Sequence, residues 1–305
     1  IMNILGINFN HSDTSACLIV DNKLIAAVEE ERFNRIKHTN AFPKNSISYC
    51  LQAANLKLDD IDLIAINTRP FSNIFKKLKF TFKKFISPKL LLRSIRNIHK
   101  KKNLKKEILK NFENHNFKGK IVYIDHHLAH LASAFYCSNF EKSICLSIDG
   151  FGDFASLAYG IGSSNDIRID KKIYFPHSLG IFYQAITQYL GFDKYGDEYK
   201  VMGLSSYGKP NYKKKLLELI RIDNNFEFEL NLKYFNHYNK DITVNFNQQF
   251  QYKDLFNENF EKFIGFKKRD NNEDLNDFHI NLAKSIQEIY EEYLINIVKF
   301  LYKKY

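Results

Sequence analysis

Tryptophan is absent from this 305-residue chain, and proline, cysteine and methionine are scarce at five, four and two residues. The cysteines, Cys17, Cys50, Cys137 and Cys145, form no CxxC pair and keep no regular spacing, which argues against a disulfide framework. Each lies in or beside an apolar run, as reduced, buried thiols of a cytosolic protein do. No apolar stretch approaches the roughly 20 residues of a membrane span, and no signal peptide precedes the strand-like run at the N-terminus. The expectation is a soluble, cytoplasmic protein.

Phenylalanine (28) and tyrosine (18) replace the missing indole, and together with abundant Lys, Asn and Ile they suggest drift towards A/T-rich codons. Lysine number alone therefore says little. The net charge of +11 is concentrated: residues 71–118 hold fifteen Lys/Arg and two acids, leaving the remainder near −2. A hydrophobic fraction of 45% over this length supports two ordinary domains or one bilobal unit.

Alternating apolar residues predict strands at 3–8, 16–20 and 24–28, with Asp21-Asn22 as a tight turn between the last two. A helix is expected at 44–55 behind Pro43, a strand at 61–66, and basic helices through 71–118 with a turn at Ser87-Pro88. A strand at 120–124 leads to a helix from about 126 to 137. A second group follows: strands at 143–148, 154–162 and 167–174, a glycine-rich turn after the first of them, and a helix at 179–190. A loop then runs through Gly208. Residues 211–222 read as helical, 223–275 as irregular and 277–304 as one amphipathic helix. The repeated β-β-β-α order predicts two related lobes meeting near residue 140, the second without strands after its last helix.

Asp125-His126-His127-Leu128-Ala129-His130 carries the strongest chemical signal. His126 and His130 are one helical turn apart, directly after a strand, where open α/β sheets build ligand crevices. Two imidazoles suit Zn²⁺ or Fe²⁺ better than the oxygen-seeking Mg²⁺ or Ca²⁺, and Asp149 at the next strand's end is the candidate third ligand. The alternative is helix-capping or core histidines. Gly150 and Gly152 permit backbone N–H groups to approach an anion. The polar connection from Gly6 to Ala16 fits either an ordinary Asx/Ser turn or a phosphate loop, with Ser15 as a hydroxyl donor and His11 or Asp13 placed for proton transfer. Glu29 to His38 is a charge run, solvated in the plain reading, with Lys37 and His38 able to meet a polyanion. Glu198 and Lys200 sit in a glycine-rich loop of mixed charge.

Four stretches, GINFNHSDTSACLIVDNKLIAAVEEERFNRIKH (6–38), DHHLAHLASAFY (125–136), SIDGFGD (147–153) and DEYKVMGLSSYG (197–208), resemble in order the O-carbamoyltransferases of nodulation factors and antibiotics. LAKSIQE at 282–288 is similar to a helix of the same family. The resemblance implies an α/β fold of the actin-like ATPase superfamily with two RNase-H-like lobes: 1–140, carrying the basic insertion 71–118, and 141–305, incomplete. It also implies a C-terminal YrdC-like domain, absent from this sequence, that makes carbamoyl-adenylate from ATP and carbamoyl phosphate. The family's metal ligands match His126, His130 and Asp149, with iron favoured over zinc. His11 and Asp13 match the loop beside the carbamoyl and acceptor pocket. Lys37, Glu198 and Lys200 match family positions without an assigned role. A further glycine-rich motif and a fourth, aspartate, ligand have no counterpart before Tyr305.

These readings converge on carbamoyl transfer to a hydroxyl of a sugar or other natural product, with His11 the favoured base and the carbamoyl-adenylate and a small-molecule acceptor as partners. The rival readings are a threonylcarbamoyl transferase acting on tRNA, a nucleic-acid module built on the Phe-rich basic segment, and an inactive fragment.

Overall fold

A computed structural model describes residues 2–9, 11–69, 72–84, 104–112, 116–240 and 243–305. Residues 85–103, at the centre of the basic segment, lie outside the described residues, and so do Ser87-Pro88, Phe71 and Phe85. By contacts the chain divides into Ile1–Ala129 with Val244–Gln251, and His130–Thr243 with Tyr252–Tyr305.

In the first unit, strands β1 (Asn3–Asn8), β2 (Ser15–Val20) and β3 (Lys23–Glu29) form an antiparallel meander. Asp21 and Asn22 turn the chain with φ of 49° and 63°, the left-handed pair of a two-residue hairpin that short polar side chains tolerate. After the short helix α1 (Glu31–Asn34), helix α2 (Lys44–Ala53) crosses over so that β4 (Leu63–Ile66) can lie parallel to β1. Helices α3 (Ile74–Lys84) and α4 (Leu104–Asn111) are the described helices of the basic segment. Strand β5 (Lys120–Tyr123) then completes the order β3-β2-β1-β4-β5, which is that of an RNase-H-like lobe. Period-two alternation sets Leu5, Ile7, Ala16, Leu18, Ile64 and Ile66 into one core with Ile47, Cys50 and Leu51 of α2. Gly6 sits mid-strand because a Cβ there would lie 2.6 Å from Cys17 Sγ.

Helix α5 (His126–Phe135) contains the division between the units. The second unit repeats the meander with β6 (Lys142–Gly152), β7 (Ala155–Ser163) and β8 (Asp166–Tyr174) in the order β6-β7-β8. Helices α6 (Leu179–Tyr189) and α10 (Asp277–Lys304) pack into its core with Leu157, Tyr159 and Phe235. Asn276 caps α10 by accepting from the Phe278 and His279 N–H groups.

Four local readings are corrected. Gly150 and Gly152 continue β6 instead of turning, and the chain reverses at Asp153-Phe154 with φ of 49° and 72°. The close approach is made by Gly180: a Cβ there would lie 3.0 Å from Gly150 Cα, so α6 starts hard against the strand. The loop through Gly208 contains helix α7 (Glu198–Ser205). The stretch 211–222 holds only the short α8 (Lys213–Leu217) before strand β9 (Ile220–Ile222) pairs with β10 (Phe228–Leu230). Finally, 223–275 contains a hairpin, β11 (Thr243–Phe246) and β12 (Gln249–Tyr252), and helix α9 (Glu258–Ile264).

Candidate functional site

Helix α5 owes its position to Asp125. Its Oδ1 accepts from the Leu128 N–H at 3.2 Å and its Oδ2 from Ser72 Oγ at 3.2 Å, so the side chain caps the helix and ties it to the segment before α3. The cap fixes which way the three histidines face. His127 is fully buried, His126 is 5% exposed, and His130 is half-exposed. His127 is thus a core residue, while His126 and His130, one turn apart, share a face of the helix.

Asp149 lies near the end of β6. The Gly150 N–H donates to its Oδ1 at 2.6 Å, and Ser178 Oγ donates to its backbone carbonyl at 3.1 Å while accepting from the Ile181 N–H at the start of α6. This leaves Oδ2 directed at His130 Nε2, 3.8 Å away. One ligand atom from each of His126, His130 and Asp149 lies within 4.8 Å of the others. Metal–nitrogen and metal–oxygen bonds of about 2.1 Å in a tetrahedron would hold ligand atoms about 3.4 Å apart, so the set suits a first-row divalent cation with small adjustments. Two imidazoles and one carboxylate are also a donor set such ions favour.

His11 is exposed, and its ring centroid lies 5.5 Å from that of His126, so the polar loop reaches the histidine helix. The loop is held from below: Asn8 Nδ2 donates to the Ser12 and Asp13 carbonyls at 3.1 and 2.8 Å, and the buried Thr14 N–H donates to the Thr39 carbonyl at 3.2 Å. Ser15 opens β2 opposite Asn8. A second cluster appears on this loop, made by Asp13, Glu31 and His38. His38 Nδ1 is 2.7 Å from Asp13 Oδ1, and Glu31 Oε2 accepts from the His38 N–H at 3.0 Å. The separation of 2.7 Å is a hydrogen bond, shorter than two ligands of one ion keep.

Lys37 is exposed, its carbonyl held by Gln249 Nε2 at 2.7 Å; Asn40 donates its N–H to Gln248 O at 2.7 Å. The β11–β12 hairpin thereby fixes the strip from Lys37 to Asn40 within the first unit, a contact that nothing in the sequence signals. Lys200 pairs with the buried Asp197 at 2.7 Å and lies over the Phe192 ring, so its charge is already engaged. Glu198, next to it, acts on Tyr183, whose hydroxyl donates to Gln287 Oε1 at 2.7 Å. Burial first, then Glu198, pushes the Tyr183 phenol well up. Tyr290, stacked edge-on against Tyr183 at 5.6 Å, is raised by burial and then by Asp149. Tyr183, Gln287 and Tyr290 were not singled out in the sequence, where they read as ordinary helix residues.

An α/β protein with a histidine–aspartate cluster on helix α5 and strand β6 is the class these observations define. Residues 3–305 match the sequence model described as Carbamoyltransferase N-terminus, and the chain belongs to that family. It is 33% identical over 99% of its length to the uncharacterized protein sll1178 of Synechocystis sp., covering 48% of that protein. It is 40% identical over 68% of its length to the nodulation protein NolNO of Sinorhizobium fredii, covering 29% of that protein. The chain thus spans about half, or less, of these relatives. Among solved structures, YeaZ from Pseudomonas aeruginosa aligns at 12% identity with a TM-score of 0.30, over 58% of this chain and 68% of its own. Among the described residues no helix is long and apolar enough to cross a membrane.

Proposed function

We propose that the protein transfers a carbamoyl group from an activated donor, carbamoyl phosphate by way of carbamoyl-adenylate, to a hydroxyl of a small sugar-like or natural-product acceptor. The observation that carries this reading is the convergence of His126, His130 and Asp149 within 4.8 Å in a chain of the carbamoyltransferase family. These three side chains would hold a divalent cation, Fe²⁺ before Zn²⁺. A bound cation supplies Lewis acidity towards a carbamoyl carbonyl or a phosphate oxygen. Asp125 and Ser178 orient the ligands from behind by fixing helix α5 and the backbone of Asp149. The polar loop from Asn8 to Ser15 adds the proton-handling side chains, His11 and Asp13, on the His126 side. Ser15, Lys37, Gly150, Gly152, Glu198 and Lys200 are the further residues proposed for binding the donor.

The test uses the full-length protein. Wild type should hold about one equivalent of metal and form a carbamoylated product from carbamoyl phosphate, ATP and a hydroxyl acceptor from a panel of sugars and aminoglycosides. The double variant His126→Ala/His130→Ala should lose both the metal, by elemental analysis, and the product. Full metal retention in the double variant would refute the ligand set, and transfer to tRNA instead of small hydroxyls would overturn the acceptor class.

A further inference from the structure

The hydrogen bond between Asp13 and His38 joins two residues 25 positions apart, each in a conformation that side chains seldom adopt. Asp13 has φ of 60° and His38 φ of 54°, in the left-handed region where Asp and His are tolerated and most residues are not. Their backbones are fixed independently of their side-chain contact. Asn8 Nδ2 holds the Asp13 carbonyl, Glu31 Oε2 holds the His38 N–H, and the flanking Thr14 and Thr39 are joined through their main chains. Both side chains are 38% exposed, so the pair faces solvent and is no core buttress. Asp13 follows His11 by two residues, and His11 in turn lies against His126.

A carboxylate 2.7 Å from Nδ1 fixes the imidazole tautomer. Nδ1 carries the hydrogen and donates it to Asp13, which puts the basic lone pair on Nε2. We infer that His38, oriented by Asp13, is the group that takes the proton from the attacking hydroxyl. This rests on the carbamoyl-transfer reading and assigns Asp13 as a positioning residue; His11 becomes a neighbour of the proposed ligand His126. In the step, the hydroxyl oxygen forms a C–O bond to the carbamoyl carbon while its proton passes to His38 Nε2. The bond from that carbon to the phosphate oxygen of the donor breaks, and the electron pair leaves with the phosphate. His38 then returns the proton to the leaving phosphate or to water.

Two measurements separate this inference from the reading beneath it. The first needs no turnover: a long-range ¹H–¹⁵N spectrum of the imidazoles should show His38 protonated at Nδ1, and Asp13→Ala should shift it to the ordinary Nε2-protonated mixture. The second uses full-length His38→Gly, a substitution the left-handed backbone favours and one that leaves room for a free imidazole. The rate of carbamoyl-donor consumption, with acceptor or with water alone, should fall by about 10²-fold or more with little change in KM. Added imidazole should restore at least about a tenth of the lost rate, which no structural role of His38 would allow. An Nε2-protonated His38 in wild type overturns the inference, and so does a rate within threefold of wild type or a loss that imidazole leaves untouched. If wild type consumes the donor but carbamoylates no hydroxyl, the acceptor reading fails while both His38 measurements still stand.

Discussion

Of the three consecutive glutamates that begin with the last residue of β3, Glu30 is only 3% exposed. Its two carboxylate oxygens accept from Asn45 N and Nδ2 at 3.2 and 2.7 Å and from Ser46 N and Oγ at 2.8 Å each, so it anchors the first turn of α2 with a negative charge at the helix's positive end. Removing it strands buried donors, and Glu30→Ala should cost about 2–4 kcal/mol of unfolding free energy. Glu29→Ala, one residue earlier with a side chain 46% exposed, should stay within about 0.5 kcal/mol of wild type. Urea unfolding of both variants checks this, and equal losses would show that Glu30 is no anchor. The charge run was thus legible as a run but not as three separate roles, because burial is decided by where α2 lands. The same limit separates the two His clusters. His126 and His130 declare their shared face by spacing alone, whereas Asp13 and His38 meet only after the strands have paired.

Among the elements, α10 was legible to its ends because Phe278, Leu282, Ile286, Ile289, Tyr293, Ile297 and Leu301 recur every three or four residues and are all buried. Its other face is exposed at Ile295 and Val298. Leu282→Ala should therefore destabilise by about 2–5 kcal/mol, since it empties a fully buried site, while Val298→Ala should change stability by less than about 0.5 kcal/mol. Denaturant midpoints for the pair would show it; similar midpoints would mean α10 is not the core helix of the second unit. The misread elements have physical causes. In 211–222 the apolar residues Leu216, Leu217, Leu219, Ile220 and Ile222 fit a helix or a strand, and pairing with β10 decides for the strand over Ile220–Ile222. The β11–β12 hairpin turns at Asn247-Gln248, with φ of 47° and 62°, where glycine would have announced it. Gly150 and Gly152 mislead in the opposite direction: they look like a turn but continue β6, and the glycine that close packing requires there is Gly180 at the start of α6.

For the whole molecule, acid stability gathers the contributions of histidines that folding keeps neutral, and His237 is the clearest of them. It is 6% exposed, ringed by Phe151, Phe175, Phe235 and Tyr238, and its Nε2 donates to the Pro176 carbonyl at 2.7 Å. Nδ1 is buried and has no hydrogen-bond partner among the described residues, so a second proton would arrive without an acceptor. Burial pulls the imidazole pKa down to about 4, with the Pro176 carbonyl opposing the shift and His177 adding to it. His279 is lowered in the same direction, by burial and then by Arg269. Below the ordinary histidine value of about 6.5 the unfolded chain takes up a proton that the folded chain refuses until about pH 4. The unfolded state therefore binds more protons throughout that window, and stability falls as pH falls through it, by on the order of 3 kcal/mol for His237 when complete. Above pH 7 the contribution is fully present and flat. Unfolding free energies from urea titrations at pH 7.5, 6, 5 and 4.5 should trace this decline. His237→Gln, which keeps a donor for the Pro176 carbonyl but does not titrate, should have a shallower slope between pH 6.5 and 4. An unchanged slope in that variant would move the acid sensitivity to His279 and the carboxylates, and would mean that the aromatic cage around His237 admits water.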